Sequence, residues 1–234
     1  MTATPPPAPQ PLSGPVEDYL KAIYDLERDA QPATTNEIAE RLAISPASVS
    51  GMMRRLADQG LITHEPYRGV RLTEDGRRAA LRTLRRHRIL ECYLTEILGY
   101  PWDRVHDEAE RLEHAASEEL IERMANALGD PLHDPHGAPI PSREGVVEQS
   151  ARRSLAETAS GERVIVRQVM DDDGERLRYL AELGIRPGSV VRILDRAPFD
   201  GPITFWVGDA AGGVTRAVGP VLAAQVFVES LGVE

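Results

Sequence analysis

The chain has 234 residues, of which 41% are hydrophobic, so it is long enough for one large domain or two to three small domains with packed cores. Its single cysteine, Cys92, excludes an internal disulfide framework and a thiolate zinc cage, so any bound metal must be held by oxygen and nitrogen. No segment approaches the ~18 apolar residues of a membrane span, and the N-terminus lacks the basic and apolar regions of a signal peptide. We therefore expect a cytoplasmic protein without membrane partners.

The formal net charge of −10 argues against nucleic-acid binding only if the charge is evenly spread, and it is not. Between Arg54 and Arg88 there are ten arginines and four acidic side chains, whereas residues 89–150 carry four arginines and fourteen acidic side chains. The first segment can face phosphate and the second can hold cations.

Breaks rich in proline and glycine divide the sequence into several predicted segments. The proline-rich opening, residues 1–15, has no periodicity and is expected to be a disordered arm. Helical patterning begins at "VEDYLKAIYDLERD" and continues to about Leu128, where "GDPLHDPHGAPIPSREG" interrupts it. After Gly161 short β-branched runs alternate with Gly, Pro and Asp, which predicts a small barrel-like β domain with one inserted helix at "ERLRYLAELG".

Within the first helical part, "TTNEIAERLAISPASVSGMMRRLADQGLI" has the form helix, tight turn, helix. Ser45 is a candidate N-cap of the second helix, with Pro46 at its first helical position. Small side chains near this helix N-terminus suit a close approach to the major groove and to phosphates. The residues predicted to face DNA from this helix are Ser45, Ala47, Ser48, Ser50, Gly51 and Arg54.

The next stretch, "LITHEPYRGVRLTEDG", predicts two short strands around "YRG", which is the form of a wing. Arg68 and Arg71 are placed there to meet backbone phosphate. An isolated helix-turn-helix pattern is equally typical of any capped helical hairpin. The wing and the arginine-rich sequel "GRRAALRTLRRHR" favour binding to double-stranded DNA.

A second functional pattern is "VHDEAERLEH", in which Glu110, Glu113 and His114 have the spacing of neighbours on one helix face. Two carboxylates and an imidazole form a partial coordination sphere, and a divalent cation would turn their repulsion into attraction. A lone motif of this kind is more often a solvated acidic face. His87 and Glu91, also four residues apart, and His106 form a second group, which favours metal binding.

The order of helix-turn-helix, wing, "RHRILECYL", "VHDEAERLEH", "PHGAPIP" and a terminal β domain resembles the diphtheria toxin repressor family of metal-dependent transcriptional regulators. The resemblance implies a mainly α protein with a β domain: an N-terminal winged helix-turn-helix, a helical dimerisation domain and a C-terminal SH3-like small β-barrel. The expected boundaries are 1–15 for the arm, 16–80 for the winged helix, 81–146 for the dimerisation and metal-binding domain, 147–160 for a linker and 161–234 for the SH3-like domain.

The resemblance also implies the ligand sets. The primary, activating site would take Asp18, Glu110, Glu113 and His114. The ancillary site would take His87, Glu91 and His106, with Asp172, Asp173 and Glu175 of the "DDDGE" loop as candidates from the C-terminal domain.

The kind of metal follows from the ligand types. Iron sensors of the family place Met and Cys at the positions of Asp18 and Glu110, whereas this chain has hard oxygen donors at both, which suit Mn²⁺. Lys21 stands where small manganese sensors use a glutamate, which argues against their closely spaced two-manganese site. We therefore expect a Mn²⁺-dependent regulator that binds operator DNA as a homodimer and, as the family implies, controls metal-ion transport genes. Fe²⁺ is the alternative cofactor.

Two other functions stay open at this point. In a metallohydrolase the same His and Glu set would activate water, but no HExxH or HxxEH pattern and no Ser or Cys nucleophile motif is present, so we expect neither an enzyme nor an organic substrate. Alternatively, the helical domain could dimerise without sensing metal. Trp102 and Leu98 are expected in the dimer contact, and His133 and His136, as loop histidines, are expected to have no chemical role.

Overall fold

The computed structural model describes residues 12–27, 31–65, 67–148, 153–170, 173–209 and 212–233. The chain forms two compact units, Met1–Leu84 and Arg85–Glu234. Most of the predicted disordered arm lies outside the described residues. The first helix, α1 (Gly14–Leu26), begins before the predicted boundary at residue 16, with Pro15 in its first turn, where the missing N–H is tolerated.

The first unit is a winged helix, as predicted. After α1 come α2 (Thr35–Arg41) and α3 (Pro46–Asp58), followed by a hairpin of β1 (Ile62–Glu65) and β2 (Gly69–Leu72). Thr34 and Glu37 form a capping box that starts α2. The apolar faces of the helices meet in a core in which these side chains are fully buried: Leu20, Ile23, Ile38, Val49 and Leu56.

The wing is held to the rest of the unit through a close backbone approach. β1 and β2 pair antiparallel from Ile62–Leu72 to Glu65–Gly69, and Val70 also bridges to Ala33. Gly69 has φ +129°, and a Cβ there would lie 2.3 Å from the Ala33 carbonyl oxygen. Only glycine fits this position, so the sequence "YRG" fixes where the wing docks.

The second unit begins within the long helix α4 (Glu74–Glu96) and continues with α5 (Val105–Leu112) and α6 (Glu118–Ala127). Their buried faces form a separate apolar cluster: Ile89, Leu90, Leu94, Val105, Ala109, Ile121 and Ala125. None of the helices in the described parts of the chain is long and apolar enough to span a membrane.

The C-terminal part of the second unit contains β3 (Arg153–Ser154), a 3₁₀ turn (Leu155–Glu157), β4 (Glu162–Val169), α7 (Gly174–Glu182), β5 (Val190–Arg196), β6 (Ile203–Asp209), β7 (Gly212–Val218), α8 (Pro220–Ala223) and β8 (Val226–Val233). The strands form an antiparallel six-stranded sheet in the order β3-β8-β4-β5-β6-β7. Register shifts between β4 and β8 and between β5 and β6 are bulges of the kind that curve a sheet. The first strand begins at Arg153, inside the predicted linker. The predicted inserted helix is present as α7.

Candidate metal centre and DNA interface

The candidate metal centre is built around His87 and Glu91, which lie one turn apart on α4. Both are buried, with 3% and 0% of their surface exposed. Arg104 ends the turn before α5, and the helix then presents His106 in its first turn beside these two side chains. The i, i+4 spacing on α4 therefore produces the convergence that the sequence predicts.

His87 contacts ligands of both predicted sets. Its Nδ1 lies 2.6 Å from Glu113 Oε2, and its Nε2 lies 3.0 Å from Glu91 Oε1 and 3.1 Å from His106 Nδ1. His106 Nδ1 is also 3.3 Å from Glu91 Oε1. The predicted ancillary ligands His87, Glu91 and His106 are thus within contact distance of one another.

The predicted primary ligands of this unit lie at the end of α5 rather than along one helix. The helix ends at Leu112, and Glu113 is its C-cap in helical conformation. Glu113 is fully buried, whereas Glu110 is half-exposed, with Oε1 3.8 Å from His106 Nε2 and 3.9 Å from His87 Nδ1. His114 follows the helix, with Nε2 3.6 Å from Glu113 Oε1. The expectation of a continuous helical face through all three residues is therefore wrong, although they remain neighbours.

The electrostatics of this centre favour a cation. Burial acts to raise the pKa of Glu91, but the charge of His87 and the hydrogen bonds from His106 and His87 lower it below its usual range, so the carboxylate is ionised. Within the described parts of the chain, Glu91 Oε2 is buried without a hydrogen-bond partner. A buried carboxylate oxygen of this kind is costly unless a positive charge compensates it. The donor set therefore fits a divalent metal ion.

A third group of potential ligands was missed from the sequence. Donor atoms of Glu91, Asp134 and His136 lie within 4.8 Å of one another, and all three residues are buried. Asp134 Oδ1 accepts from the backbone amides of His136 and Ala138, at 2.8 and 2.9 Å, and Arg88 Nε lies 3.3 Å from Asp134 Oδ2. His136 thus lies buried, with Nδ1 3.9 Å from Glu91 Oε1, because "DPHGA" folds back onto α4.

Trp102 belongs to the contact between the helices and the C-terminal sheet. It is 8% exposed, its ring stacks on His136 at 5.6 Å, and the Arg186 guanidinium carbon lies 4.4 Å from the ring centroid. His136 Nε2 is 2.7 Å from the Trp102 carbonyl oxygen, and the His136 carbonyl accepts from Val169 N at 2.9 Å. Trp102 is thus covered mainly by its own chain, whereas Leu98 is 58% exposed and stays a candidate for the dimer contact.

The predicted C-terminal ligands lie at the start of α7. Asp172 lies outside the described residues. Asp173 is the N-cap of α7: its Oδ1 accepts from the amides of Glu175 and Arg176, and its Oδ2 lies 3.0 Å from Arg176 Nε. Glu175 is exposed in the first turn of α7. Asp18, the remaining predicted ligand, is half-buried on α1 of the first unit.

The predicted DNA-facing residues of α3 occupy its N-terminal half. Ser45 caps the helix by accepting from Ser48 N at 3.2 Å, and its hydroxyl lies 2.9 Å from that of Ser48. Ser50 donates to the Pro46 carbonyl at 3.0 Å. Ala47, Gly51 and Arg54 are exposed on the same helix, opposite the buried Val49, Met53 and Leu56.

The two wing arginines differ in their surroundings. Arg68 is 63% exposed, with Nη1 3.7 Å from Glu65 Oε2. Arg71 is only 33% exposed, and its Nε donates to Glu65. Arg71 would have to leave this pair to reach phosphate, whereas Arg68 is already accessible.

Three family models match successive parts of the chain. An iron dependent repressor N-terminal DNA binding domain matches residues 11–70, an iron dependent repressor metal binding and dimerisation domain matches residues 73–142, and a FeoA domain matches residues 153–230. The predicted fold class, with its helical domains and its SH3-like C-terminal sheet, is thereby confirmed, and so is the expectation that the protein is not an enzyme.

Individual relatives cover most of the chain. The diphtheria toxin repressor of Corynebacterium diphtheriae is 35% identical over 202 residues, which are 80% of this chain and 86% of that protein. The iron-dependent repressor IdeR of Mycobacterium leprae is 35% identical over 189 residues, covering 76% of this chain and 82% of its own length. A solved manganese-dependent transcriptional repressor in complex with manganese is 42% identical, with a TM-score of 0.86, covering 92% of this chain and 100% of that one.

Proposed function

Because the chain belongs to the diphtheria toxin repressor family of metal-dependent transcriptional repressors, we propose that it is a Mn²⁺-responsive repressor that binds operator DNA as a homodimer and controls metal-ion transport genes. The observation that carries the metal dependence is the buried set of His87, Glu91 and Glu113, in which His87 stands between two carboxylates with no exposed surface. Two buried carboxylates beside one imidazole carry more negative charge than that imidazole balances, and a bound cation would supply the missing positive charge.

The preference for Mn²⁺ rests on the donor atoms. Asp18 and Glu110 supply carboxylate oxygens, and mixtures rich in carboxylate with a single imidazole suit Mn²⁺ better than softer metals. The similarity to a manganese-dependent repressor at 42% identity supports this choice. Fe²⁺ is the second candidate, since iron-dependent repressors are also 34–35% identical over most of the chain.

We assign the primary site to Asp18, Glu110, Glu113 and His114. The ancillary site takes His87, Glu91 and His106, with Asp172 and Glu175 as further candidates, whereas both carboxylate oxygens of Asp173 are engaged at the start of α7. A bound divalent cation supplies the positive charge that these carboxylates require. Since His87 contacts both Glu113 and Glu91, a change at one site alters the hydrogen bonding of the other. The two sites are therefore expected to be coupled.

Asp18 belongs to the DNA-binding unit, whereas Glu110, Glu113 and His114 belong to the second unit. Residues of both units in one coordination sphere would favour conformers with one relative orientation of the units. A two-fold dimer places its recognition helices in successive major grooves only at a defined spacing, so this restriction raises DNA affinity. By linkage, DNA must then raise the affinity for metal by the same factor.

The test is fluorescence anisotropy of a labelled operator duplex, selected by pull-down from genomic DNA, titrated in EDTA and then with Mn²⁺ or anaerobic Fe²⁺. We expect tight binding only with metal and at a lower concentration for Mn²⁺. Variants Glu110→Ala and His114→Ala should lose this response while remaining folded dimers. Glu119→Gln is the matched control, because Glu119 is an exposed acid on α6. Equal binding in EDTA would refute metal dependence, and a lower Fe²⁺ requirement would favour the second candidate.

A further inference from the structure

Tyr67, at the tip of the wing, carries an unusual combination of exposure and backbone conformation. Its side chain is fully exposed, with a relative accessibility of 108%. Its φ of 63° lies in the left-handed region, which is unfavourable for a bulky L-residue without a local partner. A glycine or asparagine would satisfy this turn more easily. The tyrosine ring therefore does not serve the folding of the wing.

The ring stands at the edge of a groove between the wing and α3. Ser50 and Arg54 line the groove from α3, and His64, Tyr67 and Arg68 line it from the wing. The groove combines two cationic side chains and one aromatic ring with a single carboxylate, that of Glu65, which is paired with Arg71. Cationic and aromatic side chains together are typical of surfaces that follow a nucleic-acid backbone.

The N-terminal half of α3, the proposed recognition helix, offers few side chains that can hydrogen-bond to base edges. At Ala47 and Gly51 it presents exposed positions, one turn apart, with no side chain that can donate or accept a hydrogen bond. Bidentate reading of a base edge needs a longer polar side chain. These two positions therefore cannot read bases by bidentate hydrogen bonds, which gives contacts from the wing a role in operator recognition.

Resting on the proposed DNA binding, we propose that the Tyr67 ring packs against deoxyribose and base edges at the flank of the site contacted by α3. Arg68, the next residue, supplies the phosphate contact. The ring supplies uncharged contact area, since a tyrosine buries ~150–250 Å² when covered and loses few rotamers. Tyr67 is thus a DNA-contacting residue that acts through its ring rather than through charge or its hydroxyl group.

The experiment measures operator affinity of the Mn²⁺-loaded full-length protein by anisotropy over a range of salt concentrations. Tyr67→Asn removes the ring while keeping a residue that tolerates the left-handed region. We expect affinity to fall about tenfold with an unchanged salt slope, because no phosphate contact is lost. Tyr67→Phe should bind as the wild type does. Arg68→Ala should instead lower the salt slope by about one.

The matched control is Phe199→Asn in the C-terminal domain, since Phe199 is also an aromatic residue with 99% exposure and a φ of 59°. It should leave DNA affinity unchanged. Wild-type affinity of Tyr67→Asn would overturn the proposal, and so would a Tyr67→Phe variant as weak as Tyr67→Asn, because the hydroxyl would then carry the contact. Failure of the wild-type protein to bind DNA with metal would instead refute the proposed function.

Discussion

Replacing Glu113 by glutamine tests the metal centre most directly. The change keeps the size of the side chain and one oxygen, but it removes one of the two fully buried carboxylates beside His87. In metal-free protein, the charge-assisted contact of 2.6 Å to His87 becomes a neutral one, which costs about 1 kcal/mol. For a unit of this size we expect the unfolding temperature to fall by about 2–4 °C.

The stabilisation by bound metal should fall much more than the stability of the metal-free protein. At a Mn²⁺ concentration of about 100 times Kd, metal binding raises the free energy of unfolding of the wild type by about 2.7 kcal/mol. This corresponds to a rise of about 5–11 °C in the unfolding temperature. Loss of even an outer-shell partner weakens metal affinity by about 10–100-fold, so a lost ligand should weaken it by at least 100-fold. At the same Mn²⁺ concentration the variant then gains only about 0.4 kcal/mol, or about 1 °C.

The assay is differential scanning fluorimetry in EDTA and in excess Mn²⁺, with isothermal titration calorimetry for Kd. Glu119→Gln removes the same charge from an exposed side chain of the same helical domain and should leave the metal-induced shift intact. If Glu113→Gln showed the full wild-type shift, Glu113 would not be a ligand, and the two buried acids would need another explanation.

Three further predictions follow from other parts of the structure. Ser45→Ala should destabilise the winged helix by about 1 kcal/mol in chemical denaturation, because it removes the side-chain cap of α3. Ser13→Ala is the control and should be neutral, since Ser13 stands at the N-cap of α1 without a side-chain cap bond. Burial raises the pKa of Glu27 above its ordinary value of 4.5 despite the Leu72 amide and Arg77, so the ionised form lowers stability at neutral pH. The unfolding temperature of the wild type relative to Glu27→Gln should therefore rise as pH falls from 7 through the raised pKa towards 4.5; a relative fall on acidification would contradict the sign of the argument. Asp173→Asn should leave Mn²⁺ affinity in calorimetry unchanged, since both carboxylate oxygens are engaged at the start of α7, and a large loss would instead identify Asp173 as a ligand.

Features that depend on local spacing were predictable from the sequence. Ser45 and Pro46 mark the start of α3, and the four-residue spacing of His87 and Glu91 places both on one helix face. In contrast, the burial of His136 depends on a chain segment that returns to α4 after more than forty residues, which no local pattern encodes. The end of α5 at Leu112 was missed because the pattern of "ERLEH" continues the helical period through Glu113 and His114.

The assignment of Trp102 shows the same limit. An apolar segment at a helix end fits a subunit contact and an intramolecular contact equally well. Its partners within the chain, His136 and Arg186, come from distant parts of the sequence.

The single thiol of the protein lies next to Glu91 on the buried side of α4. Burial, reinforced by the charges of Asp134 and Glu91, raises the pKa of Cys92, and its Sγ is 3.5 Å from the His133 carbonyl oxygen. Since the thiolate is the form that reacts with peroxides and captures soft metals, a thiol held protonated and covered is poorly reactive. The proposed metal ligands, by contrast, are oxygen and nitrogen atoms. We therefore expect oxidants that would damage a sulfur ligand to leave the ligands of this metal centre chemically unchanged.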